Sequence, residues 1–439
     1  MRARNRELFG LLPAALLITA GFAAVFIQES GKLSNASLVL GAIFLGLCLA
    51  CHIFIRVTLP YADPYIFPLV AVLACFGLVM IYRIAGAAEA RRQAQWFVLG
   101  LVLFAGTIAL FRDYRKLENY RYLIVIASLV FLILPRVPGL AYATQTQTYG
   151  AYLEIHLGPL TFQPTEFSKI GLVLFLASYL RDYRQALVGR RKILGYRVPS
   201  LKHLGPMLLL WGLAMLILVF LRDVGSSLMF YGALLAIVYI ATQRISFVLI
   251  GVLAFALGAW FLVTHIQHID ARVQTWLHPF SPKLYTAYGG SFQIANGLFG
   301  QAAGGLFGQG FGQAMLTAPG SGFPIIPLPD TDMIYAVITD ELGLFGSSAL
   351  LLIYLLLVAR GFKAAILSRD SFSKLLAAGL ASVLAIQVFV IVGGVTLVIP
   401  FTGVTLPFIS YGGSSILANF VLIALILLVS DRARRPSRA

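Results

Sequence analysis

The chain of 439 residues is predicted to be all-α, a polytopic bundle of membrane-spanning helices. Hydrophobic residues make up 59% of it and charged residues only 11%, against about 25% charged in an average soluble domain. Mean hydropathy is +0.89. The apolar residues also gather into about twelve stretches, each near the roughly 20 residues that a helix needs to cross hydrocarbon. Backbone in lipid must close its own hydrogen bonds, which excludes open sheets.

The stretches lie near 8–27, 37–55, 65–84, 96–111, 121–135, 166–180, 204–221, 225–241, 245–264, 333–359, 375–399 and 407–430. The first follows Arg2, Arg4 and Arg6, as a signal peptide would. Its apolar run exceeds the usual ~7–15 residues and no small-x-small cleavage site follows, so it is read as a retained helix. A turn-rich linker, Arg56 to Pro64, sets the first two spans apart. The expected division is a two-helix unit over 1–60, a membrane core over 61–430 and a basic tail over 431–439. A polar stretch of roughly seventy residues, 265–332, interrupts the spans. Connections this long are usually working parts.

Formal net charge is +16. With the N-terminus inside, Lys and Arg concentrate in the inner segments near 112–121, 181–202, 360–374 and 432–438, and few lie outside. This follows the positive-inside rule and places both termini in the cytoplasm and 265–332 outside. The basic excess then serves topology and anionic membrane lipids; no nucleic acid is expected as a partner. Cys48 and Cys51 form a CxxC pattern inside an apolar span, where a thiolate is disfavoured, so they and Cys75 read as packing. No His/Cys cluster has metal-site spacing.

Four segments place polar groups at or inside spans. Pro164 suits a helix first turn, Glu166 the positive helix end, and Lys169 lies one turn on, on the same face. The group reads either as a cap with a snorkelling lysine or as the lining of a cavity. Asp223, in Arg222-Asp223-Val224-Gly225-Ser226-Ser227, reads as a cap or as a second carboxylate for that cavity. Thr331 or Asp332 is expected to cap the tenth span. Asp340 and Glu341 lie about two turns into it, roughly 12 Å deep, and must face protein, water or a cation. Pro407, Gly412 and Gly413, around Ser410 and Tyr411, permit a broken helix. Asp270 beside Arg272 reads as a solvated pair, and His278 as a loop hydrogen-bonder.

Together Gln163–Lys169, Asp223–Ser227, Thr331-Asp332 with Asp340–Gly343, and Leu406–Ser415 resemble the SEDS family, the RodA/FtsW/SpoVE-type proteins of bacterial shape, division and sporulation. The resemblance runs from about residue 60 to 430. It implies a core of about ten spans and a multi-pass place in the bacterial cytoplasmic membrane. The first two spans are then an N-terminal addition. The implied activity is peptidoglycan glycosyltransfer, polymerising lipid II beside a class B penicillin-binding protein during cell wall elongation or division. Glu166, Lys169, Asp223 and Asp332 match cavity positions; Asp340, Glu341, Ser410 and Tyr411 are taken as further substrate-binding groups. The family's catalytic loop Asp falls near Ser281, in Trp276-Leu277-His278-Pro279-Phe280-Ser281-Pro282, where this chain has no acid.

Joining two lipid-linked sugars requires an acceptor hydroxyl to attack an anomeric carbon that carries a diphosphate leaving group. A carboxylate base contributes about 10²–10⁴-fold. Lys, Arg or a divalent cation, Mg or Mn, offsets the departing charge. With the loop Asp absent, Asp332 and Asp223 are the leading base candidates, ahead of Glu166, His278 and Asp270. Two other readings follow from the same residues: a flippase for lipid-linked precursors, and a non-catalytic lipid II-binding scaffold of a synthase complex.

Overall fold

The computed structural model describes residues 2–30, 35–137, 154–157, 160–187, 191–193, 196–198, 201–287, 290–317 and 324–436. Fifteen α-helices follow in order: α1 Arg2–Gly10, α2 Leu12–Ser30, α3 Asn35–Thr58, α4 Ile66–Leu110, α5 Arg121–Ile133, α6 Pro164–Leu187, α7 Leu201–Phe220, α8 Val224–Thr242, α9 Ile245–His265, α10 Gln267–Leu277, α11 Pro282–Thr286, α12 Phe292–Gly304, α13 Ile334–Leu367, α14 Ser371–Val395 and α15 Gly413–Arg434. Two antiparallel hairpins, Ile155–Leu157 with Leu160–Phe162 and Arg191–Ile193 with Tyr196–Val198, sit in the connections on either side of α6.

Every predicted apolar stretch falls on a helix, and among the described residues nine helices are long and apolar enough to span a membrane. The stretches 65–84 and 96–111 share α4. Its 45 residues would extend about 68 Å at 1.5 Å per residue, over twice the hydrocarbon thickness. Gly86, at φ 83° and ψ −176°, breaks it into two spans. The residues between are mostly Ala, Glu, Arg and Gln, all strong helix formers, so the connection stays helical. The expected last span begins later than 407. Pro407, Phe408 at φ +65° and Gly412 hold a turn there, and α15 starts at Gly413.

α14 and α15 form the centre. The window of α15 that spans is 89% buried and that of α14 78%; they pack against α4, α6, α8 and α13. α9 lies at the other extreme, with no buried residue, as expected of an all-apolar helix facing lipid. α1–α3 lie against α4. Inside that contact Glu7 meets Arg4 and, at 2.8 Å, His52 of α3, while Arg4 also reaches the carbonyl of Ala62. Cys48, Cys51 and Cys75 are buried free thiols.

The long connection docks as a lid. Trp276 of α10 donates to the Leu397 carbonyl at 2.9 Å, and Gln301 of α12 to Val395 at 3.0 Å. Its glycine-rich run then inserts into a break in α13. Gly343 (φ +66°) and Gly308 (φ +83°) let the two backbones meet, and a Cβ at Gly308 would fall 2.2 Å from the Glu341 carbonyl. Gln309 and Gly310 donate to the carbonyls of Asp340 and Glu341, and Leu344 and Phe345 to those of Gly305 and Leu306.

Candidate active site beneath the long connection

Three helix starts converge on one cavity of about 190 Å³: Gln163 precedes α6, Asp223 precedes α8, and Asp332 lies just before α13. Each helix N-terminus carries about half a positive charge. The opposite wall is α10, whose His268, Ala271, Arg272 and Thr275 line the cavity. That spacing, i, i+3, i+4, i+7, is one helical face. The segment Phe401–Thr405 closes the third side. Gly403, at φ +68°, lets that backbone approach Asp332; a Cβ there would sit 3.3 Å from Asp332 Oδ2.

Asp223 serves both roles that its sequence position allowed. Oδ1 caps α8, accepting from the Ser226 amide at 2.9 Å. Oδ2 is buried and has no hydrogen-bond partner among the described residues. Burial raises the Asp223 pKa; the Ser226 hydrogen bonds and the Arg272 charge oppose the shift and Glu166 adds to it. Asp332 does not cap α13, whose N-cap is Met333 without a side-chain bond, and neither does Thr331. The geometry turns the Asp332 carboxylate sideways instead, where Oδ1 accepts from Thr331 Oγ1 at 2.7 Å. Burial pushes its pKa up to about 6, with Thr331 and Arg272 pulling down and Asp330 pushing up.

The cationic side of the cavity consists of Arg222 and Arg272. Arg272 is anchored by the carbonyls of Phe401 and Thr402 at 3.2 and 3.3 Å, and its charge reaches both carboxylates. Burial lowers the His268 pKa, and the charges of Arg222 and Arg272 lower it further. Four polar atoms around this cavity are buried without a hydrogen-bond partner among the described residues: Asp223 Oδ2, His268 Nε2, Thr402 Oγ1 and Thr405 Oγ1. Native proteins leave few such groups, and a cluster marks a polar ligand site.

The other sequence-derived candidates lie around this cavity. Lys169 is buried between α6 and α14, donating to Glu166 Oε2 at 2.6 Å and Gln387 Oε1 at 2.7 Å. Gln387 in turn donates to the Thr405 carbonyl at 3.0 Å, so this ion pair braces the cavity wall from behind. Ser410 and Tyr411 stitch the floor: Ser410 Oγ donates to the Thr331 carbonyl, and the Tyr411 amide to that of Asp330. Asp340 and Glu341 belong to a separate cluster at the α13 break, where Glu341 pairs with Arg83 at 3.1 Å and accepts from the Gly312 amide at 2.9 Å. Ser281 is the N-cap residue of α11, and His278 ends α10; neither lines the cavity. Asp270 accepts from Gln274.

From sequence, Arg222 entered only as part of the Asp223 segment, Arg272 only as a solvated partner of Asp270, and His268 not at all; Arg272 instead turns to the Phe401 and Thr402 carbonyls, and Asp270 to Gln274. The polar, one-faced periodicity of 268–275 was the available signal.

These helices and this cavity define a membrane-embedded protein whose carboxylates meet cations at one end of the bundle. The FtsW/RodA/SpoVE family of cell cycle proteins matches residues 64–435, and the chain belongs to that family. It is 40% identical to the peptidoglycan glycosyltransferase RodA of Mycobacterium tuberculosis over 99% of this chain and 92% of that one. It is 31% identical to the stage V sporulation protein E of Bacillus subtilis, over 82% and 95%. A chain of a peptidoglycan synthase complex that coordinates polymerization and crosslinking superposes with TM-score 0.66 at 28% identity, covering 85% of this chain and 99% of that one. The rod shape determining protein RodA of Thermus thermophilus gives 0.59 at 27%, covering 86% and 98%.

Proposed function

We propose that the protein is a peptidoglycan glycosyltransferase that polymerises lipid II, with Asp332 as base. The observation that carries this is the meeting of Asp332 and Asp223 with Arg222 and Arg272 around four unmet polar atoms in one cavity. The acceptor hydroxyl oxygen bonds to the donor's anomeric carbon as the bond from that carbon to the diphosphate oxygen breaks. The hydroxyl proton passes to the Asp332 carboxylate, and the polyprenyl diphosphate departs. Arg272, Arg222 and the converging helix starts neutralise the charge that develops on it. Asp223 orients the acceptor through Oδ2. A divalent cation, Mg or Mn, would find its oxygen donors in Asp223 Oδ2 and Asp332 and would further offset the diphosphate charge.

The site faces outward, with both termini in the cytoplasm; the distribution of Lys and Arg supports this. A class B penicillin-binding protein is the proposed partner, supported by the likeness to a synthase-complex chain. Residues 1–60 are proposed as an addition to the family core. The support is that the sporulation relative and the solved structures cover 82–86% of this chain, while the family match starts at 64.

The test is polymerisation of lipid II by the purified protein, alone and with its transpeptidase. Asp332→Asn is expected to lower the rate by about 10²–10⁴-fold. Wild-type rates in Asp332→Asn would remove Asp332 as base. A second reading, a lipid II-binding scaffold, is favoured by the placement of Ser281 off the cavity. Absence of polymer from wild type while labelled lipid II still binds would select it.

A further inference from the structure

A recess of about 510 Å³ opens at the far end of the bundle, where α13 ends and α14 begins. α13 runs its full 34 residues between the cavity and this recess, so the two lie at opposite membrane faces. Four arginines from separate parts of the chain line it. Arg115 comes from the 3₁₀ turn Tyr114–Tyr120, Arg369 from the α13–α14 connection, and Arg432 and Arg435 from the end of α15. At its base the hydroxyls of Tyr114 and Ser373 lie 2.6 Å apart.

The acids nearby neutralise only part of this charge. Asp370 Oδ1 caps α14, accepting from the Ser373 amide at 2.9 Å. Asp431 pairs with Arg435 at 2.7 Å and Asp113 with Arg432 at 3.4 Å. Arg115 and Arg369 make no ion pair among the described residues, and Arg115 Nε is buried without a hydrogen-bond partner. Guanidinium groups clustered this way bind phosphate well, because their planar forks match its oxygens.

The surroundings choose among phosphates. The helix ends that deliver these arginines also turn large apolar side chains outward. Leu110 is 81% exposed just before Tyr114 and Arg115, and Ile366 is 76% exposed just before Arg369. The recess therefore sits where hydrocarbon meets water. A soluble phosphate uses only the arginines, whereas a phospholipid uses both features. A zwitterionic headgroup would bring its own cation among them.

We propose that this recess holds the phosphate headgroup of an anionic membrane lipid, with the acyl chains along the exposed ends of α4 and α13. The proposal is independent of the catalytic reading. Native mass spectrometry of the full chain tests it, with phosphatidylglycerol, phosphatidylcholine and glycerol 3-phosphate as probes. Wild type is expected to retain phosphatidylglycerol in preference to phosphatidylcholine. The double variant Arg115→Ala, Arg369→Ala should bind it roughly 10–30-fold more weakly, the effect of losing two arginines at a membrane surface. Its thermal midpoint in lipid-free detergent checks the fold, and Arg115→Lys, Arg369→Lys should recover part of the binding. Equal retention of phosphatidylcholine, or undiminished binding by a folded alanine variant, overturns the proposal. Displacement of the lipid by glycerol 3-phosphate at matching concentration overturns it in favour of a free-phosphate site. The two wild-type measurements decide the matter even where the alanine variant does not fold.

Discussion

Asp332 combines two properties that a base near neutral pH needs: a pKa of about 6 and a place on the cavity wall. A base acts as the carboxylate, so activity is expected to fall as pH drops from 7 through 6, well above the ordinary carboxylate range. Thr331→Val removes the hydroxyl that stabilises the charged form and should move that inflection upward. A pH–rate profile of kcat/KM checks both, and an unmoved inflection would separate it from Asp332. The folded pKa lies above the unfolded one, so the carboxylate costs stability that grows as pH rises between about 4 and 6. Asp332→Asn should therefore lose polymerisation at pH 7 while keeping or raising the thermal midpoint. Arg272→Ala should lower the rate by about 10²–10³-fold, a typical loss for one electrostatic contact to a developing charge. Lys169 gives the opposite signature. Removing it leaves Glu166 buried and unpaired, and Lys169→Met is expected to destabilise the fold by about 3–5 kcal/mol. Adding Glu166→Gln should restore part of that in the same melting assay.

At the scale of elements, two segments decide whether the cavity exists. One is α10, held by Trp276 to the Leu397 carbonyl and by Arg272 to those of Phe401 and Thr402. The other is the glycine-rich run in the break of α13. Gly308→Ala should lower the thermal midpoint and the rate together, because the new methyl meets backbone and the residue must hold φ +83°. A Gln301→Ala change on the same lid loses one hydrogen bond and should cost only about 1 kcal/mol. Melting curves of both variants distinguish backbone fit from a single contact. Sequence patterning located every span, because hydrophobic runs of the right length leave little choice in lipid. It left 85–95 outside the predicted spans, although these residues favour helix and only Gly86 interrupts them. It read the start of α13 as a cap because Thr and Asp often cap, whereas the Met333 backbone takes that place and frees Asp332 for the cavity.

Across the whole molecule, the two ends differ in how they treat charge. One end gathers unmet polar atoms around Asp223 and Asp332. The other binds the chain's beginning to its end: Asp63 meets Arg434 and, at 3.7 Å, Arg360, while Asp431 accepts from the Tyr61 amide at 2.9 Å. Buried pairs of this kind favour one arrangement over others more than they add stability. The proposed topology is checked with fluorescent protein fused to each end; fluorescence from both fusions is expected, since the fluorophore matures in the cytoplasm.

The sequence by itself determined the class, the places of the apolar helices and the carboxylates worth watching. Hydrophobicity, charge asymmetry and helix-start chemistry are local properties that neighbouring residues carry. Only the tertiary structure decided which of those carboxylates share a cavity. Asp223 and Asp332 stand far apart in the chain, and Arg272 joins them because α10 folds back over the ends of other helices. The same packing drew Lys169 and Glu166 behind the wall and sent Asp340 and Glu341 to the break in α13. Such assignments depend on distances between distant segments, which one-dimensional patterns do not contain.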